Sequence, residues 1–254
     1  GSTLFLRSTR RVELTEAGEL LLGRARSILA LLGRAADEQA GLAQGRLGTV
    51  GIGFIGTATY DVLPPVARLL RETLPDLRLD LRGEMLTPEL VDAVLDFTLD
   101  IALLRPPADP AGLDLVPLRT EPLVVALRAD DRRARFPAVD LALLIDEPFI
   151  SHPSRRMSSM HRSMLDACRD AGFAPREVIE VRETSTLVTF VAAGLGVALV
   201  PESVRSLGLG GVAYVPLSRP AATVDLVMAT RAGETSPGVR RVTEIIRASV
   251  RPPA

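Results

Sequence analysis

Between Thr15 and Ala43 the apolar positions recur at spacings of three and four. Leu21, Ala25, Ile28, Leu32 and Ala36 fall on one helical face, and Leu22, Leu29 and Ala43 widen it. The spacing predicts a single long helix over residues 15–44. Thr15 suits the N-cap, and Glu16 and Glu19 occupy the first turn, where the helix dipole favours acids. No proline interrupts the pattern, although Gly23 and Gly33 weaken it. A helix of roughly 30 residues reaches about 45 Å. It cannot bury its own apolar face, so it packs on the rest of the chain or pairs with a second copy.

Gly41, Gly45 and Gly48 then loosen the chain into a linker, and from Leu47 the pattern changes. Val50, Ile52 and Phe54 alternate like a strand, Leu63 to Leu74 reads as a helix, and Leu77, Leu79 and Leu81 alternate again. Pro88 to Leu95 is helical with Thr87 as N-cap, and Leu99 to Leu104 is a buried strand. This β-α-β-α-β order implies a parallel sheet. A second series follows. Strands are expected at Glu121–Leu127, Pro148–Ser151, Val178–Val181, Gly196–Val200, Val212–Val215 and Val224–Ala229. Helices are expected at the stripe Met157, Met160, His161, Met164, Leu165, Cys168, at Thr184–Ala193, and from Pro237 to about Val250 behind Ser236. Two similar α/β lobes with a cleft between them is the natural arrangement.

A chain of 254 residues suits one or two domains, and 47% hydrophobic with 24% charged residues is ordinary for a globular protein. The net charge of −1 names no nucleic-acid or membrane partner, although residues 1–48 carry seven arginines against five acids. Every basic residue is arginine. A single cysteine rules out an internal disulfide framework. The longest run of apolar and glycine residues, Phe190 to Val200, is far short of the roughly 20 a membrane span needs. With no secretory pattern either, the expected location is cytoplasmic.

Gly51-Ile52-Gly53-Phe54-Ile55-Gly56 matches the dinucleotide fingerprint, but its strand-like residues lie inside the motif and Pro64-Pro65 falls where the phosphate-binding helix should run. A glycine-rich strand is the better reading, and no cofactor is expected. His152 and His161 have no metal-ligand spacing around them and read as surface or packing residues. Cys168 reads as a structural thiol. Ser151 and His152 are not a catalytic pair, because neighbours in a strand point to opposite faces. Hydroxyl residues at the expected helix N-termini are more informative: Thr57 and Thr59, Thr87, Ser154, and Thr184 to Thr186. Each serves as a cap; converging on one cleft, they would make a pocket for a small carboxylate.

Leu4-Phe5-Leu6-Arg7, Arg10, Arg11, Val12 and Leu14-Thr15-Glu16-Ala17-Gly18 closely resemble the end of the DNA-binding domain of LysR-type transcriptional regulators. Leu99-Asp100-Ile101-Ala102-Leu103-Leu104-Arg105, Glu147-Pro148-Phe149-Ile150 and Val191 to Pro201 resemble that family's effector domain. The resemblance implies a wing remnant at 1–14, a dimerisation helix and hinge at 15–48, one lobe at 49–128 plus 227–254, and a second at 129–226. The lobes would be Rossmann-like, of periplasmic-binding-protein type, joined by two crossover strands. The family's recognition helix would lie upstream of Thr3. The chain is most similar to the branch sensing benzoate, muconate and related acids. On that resemblance Thr57 and Thr87 hold an effector carboxylate and Pro153 and Ser154 contribute backbone donors. Thr59, Arg105, Ser151 and Thr184 complete the expected effector-binding set. Arg105, Arg119 and Glu121 form either a second effector site or an ion-pair cluster, and Arg7, Arg10 and Arg11 touch the DNA backbone. The implied partners are a small organic acid, a second copy of the chain in a homodimer or homotetramer, and promoter DNA in the complete protein; no membrane is expected. A solute-binding protein, a dinucleotide-dependent enzyme and a pure oligomerisation module are the alternatives to this non-enzymatic sensor.

Overall fold

A computed structural model describes residues 2–7, 11–43, 48–107, 109–154, 158–218 and 222–250. Arg10, Met157, Gly45 and Leu47 of the expected linker, and residues 251–254 of the expected C-terminal segment lie outside the described residues.

The chain opens on two antiparallel strands, β1 (Phe5–Arg7) and β2 (Val12–Leu14), where the resemblance placed a wing. The Thr15 hydroxyl donates to the Thr3 carbonyl at 2.7 Å and accepts from the Gly18 amide at 3.0 Å. It thus caps α1 (Glu16–Ala43) and ties that helix to the strand before it. Leu21, Ile28, Leu29 and Leu32 are exposed along α1. Farther along the helix, Arg34 pairs with Asp100, whose carboxylate also accepts from the Gly51 amide at 2.9 Å and from Arg231 at 3.1 Å.

In the first lobe β3 (Thr49–Phe54) is followed by α2 (Ala58–Asp61), α3 (Leu63–Thr73), β4 (Arg78–Arg82), α4 (Thr87–Leu95) and β5 (Ile101–Leu104). Strands β4 and β5 both pair parallel with β3, as the alternating order implies. Gly51 and Gly53 lie within β3, so the glycine triplet builds a strand. A Cβ on Gly53 would stand 2.3 Å from Leu99 Cδ1 and 2.5 Å from Leu90 Cδ2; the glycine lets α4 and Leu99 close onto the sheet. Pro64 and Pro65 fall in the first turn of α3, where a missing N–H costs no helix bond. Helix α4 begins one residue earlier than expected. Leu86 stands at the N-cap, its amide satisfied by Glu89 Oε2 at 2.9 Å, and Thr87 opens the helix.

The chain then enters β6 (Leu113–Arg128), a strand twice the expected length. The second lobe adds β7 (Phe149–Ser151), α5 (Ser159–Asp170), β8 (Val178–Glu180), α6 (Thr184–Ala192), β9 (Ala198–Pro201) and β10 (Val212–Pro216). The chain returns through β11 (Thr223–Arg231) and ends in α7 (Pro237–Ser249). Among the described residues, 3-10 turns at Arg132–Arg135, Leu141–Leu144 and Glu202–Leu207 interrupt the second series. The first two are opened by Asp131 and Asp140, whose carboxylates accept an amide two residues on.

The two long strands, β6 and β11, run antiparallel to each other, so the sheet is mixed rather than wholly parallel. The first half of β6 pairs with β11 and the second half lies between β10 and β9. Leu118 packs in the first lobe's core with Ile52, Leu70, Leu90, Leu103 and Val242, whereas Leu123 packs in the second with Leu144, Phe149, Met164 and Cys168. Val224 and Leu226 divide in the same way. Both faces of β6 are covered beyond that point: Val125 meets α5, and Val124 and Ala126 meet Val188 and Val191 of α6.

Candidate functional site

Between the lobes lies a narrow cleft. Ile55, Gly56, Thr57, Glu84, Met85, Leu86, Thr87 and Arg105 line it from the first lobe. His152, Ser158, Ser159, Met160, Arg182 and Thr184 line it from the second. The topology explains the gathering. Thr57 follows β3 and Arg105 follows β5, neighbouring parallel strands whose carboxyl ends face the same way. Thr87 and Thr184 are the first residues of α4 and α6.

Arg105 is the centre of the floor, only 3% exposed. Its Nη2 donates to Glu121 Oε1 at 2.9 Å and to Thr57 Oγ1 at 3.1 Å, and its Nη1 to the Asp225 carbonyl at 3.0 Å. Since Thr57 accepts from the guanidinium, its own hydroxyl proton remains available to a further acceptor. Thr87 Oγ1 makes only a long bond, 3.4 Å, to the Arg105 carbonyl. Burial pulls the Arg105 pKa down while Glu121 opposes it; arginine is basic enough to stay charged. Glu121 is pushed up by burial, but Arg105 and Arg119 outweigh that and hold it below the ordinary carboxylate range. Arg119 grips Asp61 through both terminal nitrogens, at 2.6 and 3.1 Å, and reaches Glu121 at 3.3 Å. The Ser203 amide of the second lobe also donates to Glu121, at 3.3 Å. The cluster is therefore an ion-pair network spanning both lobes. Several buried polar atoms around it lack a partner: Thr59 Oγ1, Tyr60 Oη, Arg105 Nε, Arg119 Nε, Ser203 Oγ and Tyr214 Oη.

An ion pair crosses the cleft rim: Arg182 of the second lobe binds Glu89 of α4 at 2.9 Å. His152 Nδ1 meets the Arg182 carbonyl at 3.1 Å. Burial lowers the His152 pKa, which keeps the ring neutral at neutral pH, so Nδ1 carries the proton and Nε2 is an acceptor.

Of the expected effector-binding residues, Thr57, Thr87, Arg105 and Thr184 line the cleft; Thr59, Ser151, Pro153 and Ser154 do not. Thr59 is two residues beyond Thr57 on α2, which turns its side chain away, and Thr57 itself makes no cap bond. Ser151 is buried at the end of β7, so the alternation of the strand gives the cleft His152 instead. The Ser154 amide is taken by Glu180 Oε1 at 3.0 Å. Arg11 lies exposed beside Glu13, and nothing of the Arg7 side chain is described. Sequence reasoning missed Glu84, Arg182 and Met160 and dismissed His152. The strand alternation around Ser151 was the one available signal; Glu84 and Arg182 carry none. Among the described residues no group of three His, Cys, Asp or Glu side chains is placed to hold a metal, and no helix is long and apolar enough to cross a membrane.

Two α/β lobes hinged on a pair of crossing strands, with a polar cleft between them and a long helix in front, define a two-lobed binding domain of periplasmic-binding-protein type. Residues 43–251 match the model of the LysR substrate binding domain. The chain is 30% identical over 245 residues to the HTH-type transcriptional regulator AlsR of Bacillus subtilis (strain 168), covering 96% of this chain and 81% of that one. Among solved structures, the BenM effector binding domain with its effector benzoate superposes with a TM-score of 0.69 at 32% identity, over 79% of this chain and 90% of that one. Full-length CbnR complexed with its target DNA superposes with a TM-score of 0.77 at 25% identity, over 93% and 83%. The chain belongs to the LysR family of transcriptional regulators and carries its effector-binding domain.

Proposed function

We propose that the cleft binds a small organic acid and that its occupancy biases the relative orientation of the lobes. The observation that carries this reading is the Thr57–Arg105 pair at the cleft floor. There a hydroxyl polarised by a buried guanidinium sits between two lobes joined by strands. The likeness to a benzoate-bound effector domain supports it. In the complete regulator the change passes through α1 to DNA-binding heads on promoter DNA, with Arg7, Arg10 and Arg11 against phosphates, which position without reading sequence. The apolar face of α1 pairs with a second copy. The protein acts in the cytoplasm, as a sensor rather than an enzyme. The effector domain divides where the crossing strands pass from one core to the other, between Leu118 and Leu123 of β6 and between Val224 and Leu226 of β11, earlier than the expected boundaries at 128 and 226. The Arg105–Glu121–Arg119 network holds the lobes in register rather than binding a second acid, because each of its guanidiniums is already paired with a carboxylate of the chain.

A thermal-shift screen tests the reading, with benzoate and cis,cis-muconate against acetate and NAD. An acid at a hundred times its Kd adds about 2.7 kcal/mol, a rise of roughly 5 °C or more for a domain of this size. The rise is expected with one acid and is lost in Thr57→Ala and Thr87→Ala. No shift with any acid, or a shift with NAD alone, rejects the proposal.

A further inference from the structure

One wall of the cleft is acidic. Glu84 sits at φ 55, a left-handed conformation that non-glycine residues seldom keep unless the surroundings hold them there. Its carboxylate lies on Gly56, where a Cβ would come within 2.4 Å of Oε2. Only glycine at that position, beside Thr57 in the chain, lets the carboxylate stand there. Thr184 faces it across the cleft from the opposite lobe, and the charged neighbour of Glu84 is another acid, Glu183. Burial, and then Glu183, push its pKa up. No arginine or histidine among the described residues forms an ion pair with it.

The rest of the wall repeats this preference for donors. Thr87, donating to the Arg105 carbonyl, presents its lone pairs. The Thr57 hydroxyl, by contrast, offers a proton. A bare carboxylate set against Thr57 meets the charge of Glu84. An acid that carries its own hydrogen-bond donor beside the carboxylate satisfies both sides.

We propose that Glu84 is a specificity-determining residue that selects acids bearing a hydroxyl or ammonium donor near the carboxylate over the unsubstituted acids. This rests on the acid-binding reading of the cleft. The donor completes a charge-assisted hydrogen bond to Glu84, which lines the cleft and is open to solvent, and the unsubstituted acid cannot make that bond.

Isothermal titration of matched acids tests it: benzoate against its 2-, 3- and 4-hydroxy derivatives, and propanoate against lactate and alanine. In the unaltered protein the best donor-bearing acid is expected to bind at least about tenfold more tightly than its unsubstituted partner, in keeping with one charge-assisted hydrogen bond. Lactate and alanine separate a hydroxyl from an ammonium as the preferred donor. In Glu84→Gly, which suits the left-handed backbone, the preference is expected to fall to within about threefold as the hydrogen bond is removed. Glu84→Gln keeps the shape without the charge and is expected to strengthen binding of the unsubstituted acid. Circular dichroism confirms that each variant is folded. Equal binding of substituted and unsubstituted acids overturns the role of Glu84 and leaves the cleft reading standing. So does a preference that persists unchanged in both variants. No binding of any acid overturns the two together.

Discussion

A guanidinium as deeply buried as that of Arg105 is tolerable only because Glu121 stands 2.9 Å away and the Thr57 hydroxyl and Asp225 carbonyl take its other protons. Removing one member of such a pair strands a charge. Glu121→Ala is therefore expected to cost about 3–5 kcal/mol, read from urea denaturation, whereas replacing Arg105 and Glu121 together by apolar residues of similar volume costs less. The same pair sets an acid limit. The folded-state pKa of Glu121 is held below that of the unfolded chain, so its stabilisation is present above the ordinary glutamate value of about 4.3 and fades as the pH falls through the folded value. Denaturation midpoints of the parent and Glu121→Gln should differ at neutral pH and converge only as the pH is stepped well below about 4. The grouping of residues 105, 119 and 121 comes from the resemblance to the family, which leaves open an effector site or an ion-pair cluster. Asp61 and the Ser203 amide, which extend the group into a network across the lobes, come from distant elements and left no local trace.

At the scale of elements, periodicity located most helices and strands to within a few residues, and capping chemistry did well: Thr15 caps α1 as its position before Glu16 and Glu19 suggested. Periodicity failed where one strand serves two lobes. Leu113 to Pro122 carries no clean alternation because its neighbours change along its length, so only Glu121–Leu127 of β6 was legible. The hydroxyl count at helix starts found Thr57, Thr87 and Thr184 but could not tell a residue facing the cleft from one facing away, as Thr59 shows. The long helix leads to a sharper expectation. Leu21, Ile28 and Leu32 lie along one face of α1 and are exposed, so charged residues there should leave the lobes folded. Burying each such side chain stabilises by about 1.5–3 kcal/mol, and losing three weakens self-association by on the order of a thousandfold or more. Multi-angle light scattering of a Leu21→Glu, Ile28→Glu, Leu32→Glu variant should then report a monomer, while the parent reports a higher mass; an unchanged mass would show that α1 does not carry the association.

At the scale of the molecule, β6 and β11 are both hinge and core. They begin in one hydrophobic cluster and end in another, and the cleft lies over the place where they cross between lobes. Asp100 joins the same sheet to α1, through Arg34 and through the Gly51 amide at the start of β3. A shift between lobes therefore has a rigid path toward the N-terminal helix. A ligand moves such an equilibrium only by the difference in its affinity for the two arrangements. The distance between the lobes reports this directly. Cys168 is fully buried and burial raises its thiol pKa to about 12, so it stays unreactive in the folded protein. Spin labels can then be confined to cysteines introduced at the exposed positions Glu72, in the first lobe, and Ala174, in the second. Double electron–electron resonance should show the interlobe distance distribution shifting and narrowing on saturation with an acid that raises the melting temperature, and no shift in Thr57→Ala. An acid that binds and leaves that distribution unchanged would contradict the account of a sensor that works by moving its lobes.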